Sequence, residues 1–426
     1  MKKTHIRPSD LRGLGRLTTD AVAGLTHLVE ALHRNIIRAP GVLGTPASGP
    51  TTGITGLVYR SIRGVNKLVG GGLDAVLAQL VPLLGAKSPS QSSPAREAVL
   101  AALNGVLGDY LVDTQSPLAI PMTLRHDGQP LELQRQALAA AIPQPSSKLL
   151  VLVHGLCMND LQWNGPAASE QERARGATDD EAANQPARLA HELGYTPVYL
   201  HYNSGRHIST NGRAFADLLE GLVRQWPVPV EELVIMGHSM GGLVARSACH
   251  YAAMAGHDWL RYLSKLVFLG TPHHGAPLER GGNWVDLLLG VSPYTVPFAR
   301  LGKIRSAGIT DLRHGNLLDE DWQGRDRFEH SADRPRAVPL PTGVSCYAIA
   351  ATTGKQAGDL GDRLLGDGLV PVKSALGRHE DSSLSLPFPA SRQWIGYGMN
   401  HLEMLRRPAV YEQVKRWLAS RSVRAS

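Results

Sequence analysis

Apolar side chains recur at Leu17, Ala21, Leu25, Leu28, Leu32 and Ile36, steps of three and four that mark one face of a helix, with Asp10 near its start. The Gly/Pro/Thr-rich stretch "APGVLGTPASGPTTG" ends that helix. The pattern resumes over residues 54–84, through Ile54, Leu57, Val58, Ile62 and Val65, then Val69, Leu73, Val76, Leu77, Leu80 and Leu84, broken by Gly70, Gly71 and Gly72. Arg60, Arg63 and Lys67 make the other face basic. The segment "LVGGGLDAVLAQLVPLLGA" approaches the length of a membrane span, but Asp74, Gln79 and the three glycines count against one. Two readings remain for it: a helical hairpin packing its apolar stripe on neighbours, or a basic amphipathic helix lying on lipid or on a hydrophobic granule. After the linker "GAKSPSQSSPA" one further helix turns Val99, Leu103, Val106 and Tyr110 inward.

From residue 117 the period changes. "AIPMTLRHDGQPLEL" reads as two short strands about an Asp127-Gly128 turn. Five apolar runs follow, at 148–155, 195–203, 232–239, 263–271 and 343–351, mostly separated by helix-compatible stretches. Short buried strands alternating with helices specify a mostly parallel sheet flanked by helices, an α/β fold. The chain is therefore expected to divide into a helical amphipathic N-terminal region, 1–115, and an α/β domain, 116–426. Within the latter, residues 276–342 hold no sheet strand and are expected to form a lid or cap. Trp284, Leu287, Leu288, Leu289, Val291, Tyr294 and Phe298 would suit an apolar acyl chain there, or the ordinary packing of an inserted helical pair.

The formal net charge of +7 favours anionic partners, but no block of like charges and no aromatic-interleaved basic patch points to nucleic acid. Cys157, Cys249 and Cys346 form neither a complete disulfide framework nor a CxxC pattern. With an N-terminus "MKKTHIRPSDLRGLGR" that has no apolar signal core, a cytoplasmic protein is expected, with peripheral membrane or granule contact through the N-terminal helices.

The sequence "ELVIMGHSMGGLVAR" (232–246) runs from a strand through Gly237-His238-Ser239-Met240-Gly241 into a helix-forming stretch. A G-x-S-x-G alone is weak, but a strand entering and a helix leaving make it a nucleophile turn, in which only small neighbours avoid collision around a strained serine. A serine hydroxyl at neutral pH needs a base with a carboxylate behind it, in the chain order serine, acid, histidine. His401, in "RQWIGYGMNHLEML" just before the closing helix, is the expected base, with His379 the runner-up in a charged loop. Asp367, in the Gly-flanked turn "LLGDGLVPV", is the expected acid, with Asp359 and Asp362 its competitors. The N–H groups of Leu156 and Met240 are the expected oxyanion donors. Cys157 reads as a small apolar wall residue, and His273 and His274 as rim residues rather than metal ligands. No cofactor and no metal are expected.

With "VHGL", "GHSMGGLVAR", "LGTPHHG", "GDGLVP" and "NHLEML" in that order, residues 117 to 420 resemble the bacterial triacylglycerol lipases and the GPI inositol deacylase-like serine esterases of the α/β-hydrolase superfamily. The resemblance implies an α/β-hydrolase fold, with Ser239, Asp367 and His401 as a triad and Leu156 and Met240 as the oxyanion hole. It also places Glu403 where several such lipases carry a calcium-binding aspartate, although no second carboxylate ligand accompanies it. The expected function is cleavage of carboxylic esters on an ester or lipid substrate through an acyl-enzyme. An acyltransferase or thioesterase would use the same residues, and a lipid-surface or granule-associated protein is the alternative from another class.

Overall fold

A computed structural model describes residues 94–163, 185–276, 306–324, 337–356 and 366–420. By its internal contacts the chain divides into two compact units, residues 1–96 with 111–119, and residues 97–110 with 120–426. Residues 97–110, expected to belong with the N-terminal region, thus fall in the larger unit. The periodic stretches at 10–38 and 54–84 lie outside the described residues, as does the apolar run 284–298. No described helix is long and apolar enough to cross a membrane.

In chain order the helices are α1 (Pro94–Asp113), α2 (Arg135–Ala141), α3 (Gln185–Leu193), α4 (Ile208–Gln225), α5 (Met240–Ala255), α6 (Ala307–His314), α7 (Val372–Ala375) and α8 (Pro408–Ala419). The strands are β1 (Thr123–His126), β2 (Gln129–Pro130), β3 (Lys148–Val153), β4 (Thr196–His201), β5 (Glu232–His238), β6 (Leu263–Leu269), β7 (Ser345–Thr352) and β8 (Gln393–Tyr397). They form one sheet in the order β2-β1-β4-β3-β5-β6-β7-β8. Every pair from β4 through β3 to β8 is parallel, and only the hairpin β1–β2 and its junction with β4 are antiparallel. This is the α/β-hydrolase fold.

The runs that make these strands are apolar because both faces of the sheet are covered. Leu150, Leu152, Val234, Met236, Val267 and Leu269 pack in one cluster with Leu189 of α3 and Val410, Val414 and Trp417 of α8. Their neighbours Leu149, Val151, Leu233 and Ile235 are also buried and, by strand alternation, face the other way. Each such side chain contributes roughly 1.5–3 kcal/mol relative to remaining in water.

On that second face, α5 crosses the sheet where glycine permits. A Cβ at Gly241 would lie 2.2 Å from the Val153 carbonyl oxygen, and one at Gly237 would lie 2.6 Å from the Gly242 nitrogen. The helix entry is thereby pressed onto the ends of β3 and β5.

Candidate active site

The last residue of β5 is His238, and α5 begins at Met240, so Ser239 alone makes the turn. Its backbone sits at φ 55°, ψ −125°, a left-handed conformation that costs a non-glycine residue of order 1–3 kcal/mol. Two contacts hold it there. The Ser239 N–H donates to the Leu269 carbonyl at the end of β6 (2.8 Å), and a Cβ at Gly155 would stand 3.1 Å from the Ser239 Cβ. Strand end, helix start and the loop after β3 therefore converge on one side chain.

Asp367 and His401 also leave the carboxyl ends of strands. The His401 side chain donates from Nδ1 to Asp367 Oδ2 at 2.6 Å, and both side chains are fully buried. The other carboxylate oxygen accepts the N–H groups of Leu369 (3.0 Å) and Val370 (2.8 Å), while the His401 N–H donates to the Asp367 carbonyl (3.1 Å). A carboxylate held at both oxygens and bonded to Nδ1 fixes the tautomer, leaving Nε2 as the lone-pair nitrogen. That Nε2 is buried and has no hydrogen-bond partner. Thus His401 and the Ser239 hydroxyl are not hydrogen-bonded here, yet they share a neighbour: Leu269 holds the Ser239 N–H, and the next residue, Gly270, abuts the His401 ring.

His401 is braced from three further sides. His238 reaches its carbonyl oxygen through Nε2 (3.1 Å), and the two rings lie 4.7 Å apart. Burial pushes the His238 imidazole well below the ordinary histidine range, so it stays neutral beside a second imidazole. Asn400 Oδ1 accepts the N–H groups of Leu402 and Glu403, and the Glu403 carboxylate accepts the Asn400 N–H and pairs with Arg407 (3.0 Å each). Glu403 is thus committed to closing the loop that carries His401.

The loop after β3 supplies the N–H of Leu156, a buried residue, and Met240 N–H is the first of α5, where helical N–H groups lack an intrahelical acceptor. Cys157 beside it is a second positive-φ residue (59°), its N–H donating to Ser204 Oγ (3.1 Å). Burial pushes its thiol up to about 12, which leaves it inert. Helix α1 presses on this loop: a Cβ at Gly105 would fall 2.3 Å from Cys157 Sγ. Arg125 joins the same region from below, pairing with Asp160 (3.0 Å) and Glu97 (3.3 Å).

Of the alternatives, His379 lies on an exposed loop, accepting the Asp381 N–H and folding back on Ser385. Asp359 and Asp362 lie outside the described residues. His273 is buried, with Nδ1 accepting from Arg246 Nη1 (3.3 Å), while His274 is half-buried. Sequence reasoning did not single out His238, although it stands next to the serine, or Arg246, whose signal is a charged residue within an otherwise apolar helix.

Residues 144–339 match the family model described as PGAP1-like alpha/beta domain. Among solved structures, the Bacillus licheniformis lipase BlEst2 in mature form is 19% identical, over 70% of this chain and 98% of that one, with a TM-score of 0.38. Aspergillus fumigatus lipase B is 11% identical over 70% and 60%, at 0.40, and a putative aryl esterase from Burkholderia cenocepacia 14% over 65% and 93%, at 0.36. No curated protein matches the chain.

Proposed function

From the premise that the chain carries a PGAP1-like alpha/beta domain over residues 144–339 within an α/β-hydrolase fold, we propose that it is a serine hydrolase of carboxylic esters. The observation that carries the reading is the buried Asp367–His401 pair at 2.6 Å, whose outer nitrogen is left without a partner next to the turn that presents Ser239. A buried imidazole with one nitrogen tied to a carboxylate and the other free is suited to accept a proton.

In this mechanism, rotation about the Ser239 side-chain bond brings Oγ to His401 Nε2, which takes the hydroxyl proton as Oγ adds to the ester carbonyl. Asp367 stabilises the imidazolium and keeps its orientation. The carbonyl oxygen, now negative, is held by the N–H groups of Leu156 and Met240, the second reinforced by the positive end of α5. The C–O bond to the leaving alcohol breaks as Nε2 returns the proton to it, leaving an acyl group on Ser239. Water, deprotonated by the same nitrogen, attacks the acyl carbon; the acyl–Oγ bond breaks as Nε2 passes the proton to Ser239 Oγ, releasing the acid and restoring the hydroxyl.

The test is Ser239→Ala with circular dichroism as the control for folding. It abolishes p-nitrophenyl ester cleavage and fluorophosphonate labelling in a protein that keeps its fold; retained cleavage in the folded variant removes the proposal. Product analysis with an added alcohol separates hydrolysis from acyl transfer, because a transferase yields the new ester in preference to the acid.

A further inference from the structure

Helix α5 carries a buried charged residue away from Ser239. Arg246 follows Ser239 by seven residues, about 10 Å along the helix axis, and is only 3% exposed. Its Nη2 donates to the Val338 carbonyl and its Nη1 to His273 Nδ1, but its Nε has no partner. Among the described residues no carboxylate pairs with it. Leaving a guanidinium buried without a counter-charge is costly, and burial lowers its proton affinity to about 10.

The histidines beside it complete the picture. Arginine only donates, so His273 Nδ1 is the acceptor in that contact, and the proton of the neutral ring sits on Nε2. That Nε2 is buried and unpartnered, as is Nε2 of His274. Arg246, His273 and His274 line a cavity of about 150 Å³, walled otherwise by Leu317, Val338 and Leu386 among others. A liquid water fills about 30 Å³, so several waters or one small oxyanion would fit. An unpartnered guanidinium N–H and an unpartnered imidazole N–H beside a partly open cavity, with no acidic side chain among its described lining residues, suit a negatively charged oxygen pair.

We propose that Arg246, with His273 and His274, forms a binding site for a small oxyanion, a carboxylate or phosphate group, distinct from the Ser239 site. Arg246 and His273 supply its donors, and Leu317 and Val338 form part of its wall. The site stands independently of ester hydrolysis.

Titration of the full chain with sodium phosphate and, separately, sodium acetate, at ionic strength held constant with sodium chloride, tests this by calorimetry and by unfolding temperature. Wild type binds one of the two anions saturably and its unfolding temperature climbs to a plateau; the anion that saturates at lower concentration identifies the oxygen chemistry. Arg246→Met abolishes the response, and His273→Phe, which keeps the ring against Phe268 and Phe388, weakens affinity roughly tenfold or more. If Arg246→Met does not fold, the His273→Phe comparison carries the test. Ser239→Ala keeps the full response, so loss of esterase activity and loss of anion binding are separate results. Heat changes no different from those in sodium chloride alone, or equal responses in wild type and His273→Phe, overturn the proposal.

Discussion

Gly270 lies directly against His401: a methyl group on its Cα would stand 3.0 Å from the imidazole Cε1 and 2.9 Å from the terminal methyl of Met404. Its φ of 58° adds a conformational reason for glycine. Gly270→Ala should therefore move the ring as well as strain the turn. The expectation is a folded protein, less stable by about 1–2 kcal/mol, whose esterase kcat falls about a hundredfold, as a displacement near 1 Å can produce. Steady-state kinetics beside a urea titration measures both; unchanged kcat would mean that His401 does not act where proposed.

Asp367→Asn probes the other side of the ring. An amide has a single oxygen, so if that oxygen keeps the Leu369 and Val370 N–H groups, its NH2 group must face Nδ1. With its nitrogen toward Nδ1 it selects the wrong tautomer, leaving a proton on Nε2. A fall in kcat of about ten-thousandfold is expected, with Ser239 still slowly labelled by fluorophosphonate. Activity within threefold of wild type would return the acid role to another residue.

Acid should unfold the protein through its buried histidines. Burial, outweighing a hydrogen bond to the Gly155 carbonyl, lowers His154 to about 4, and burial lowers His201 to about 2. Both are depressed below the unfolded value near 6.5, so the stability of the neutral form is complete above that pH. It is lost as pH falls from 6.5 towards the folded values, because the unfolded chain takes up protons that the folded one refuses. For His154 the loss by pH 4 is on the order of 3 kcal/mol. Urea midpoints at pH 7, 6 and 5 should decline, and His154→Asn should flatten the slope.

The thiols offer a check on burial. Cys157, Cys249 and Cys346 are all buried and unpaired. Burial pushes Cys157 and Cys346 up to about 12 and Cys249 further, so thiolate is scarce at neutral pH. Native protein should give no reaction with a thiol reagent at pH 8 over minutes and three equivalents in guanidinium. Rapid labelling of Cys157 would mean that the loop after β3 opens readily.

What could be read from the chain follows physical reach. Strands 148–153, 232–238 and 263–269 stand out because burial on both faces demands unbroken apolar runs. The pair Asp367 and His401 could be picked from many acids and histidines because both follow strands in a fixed order. By contrast, "VLAALNGVLGDY" reads as one more amphipathic helix; only the packed chain shows Gly105 against Cys157, since a glycine's role depends on what approaches it. The setting of Arg246 was likewise concealed, because its burial against His273 and the Val338 carbonyl is a property of neighbours far away in sequence. The enclosure of His273 is hidden for the same reason: a dipeptide carries no record of the rings of Phe268 and Phe388 that pack against it.

Strand β6 ends at Leu269 and β7 begins at Ser345, yet the two are paired side by side. Distance along the polymer between them has no bearing on distance in space. Beyond Gly270, which abuts His401, the connecting stretch can lengthen, shorten or be exchanged through evolution or engineering while the hydrogen-bonded ladder keeps its spacing, so appetite for one molecule or another can be rewritten in that detour without retuning the apparatus beneath.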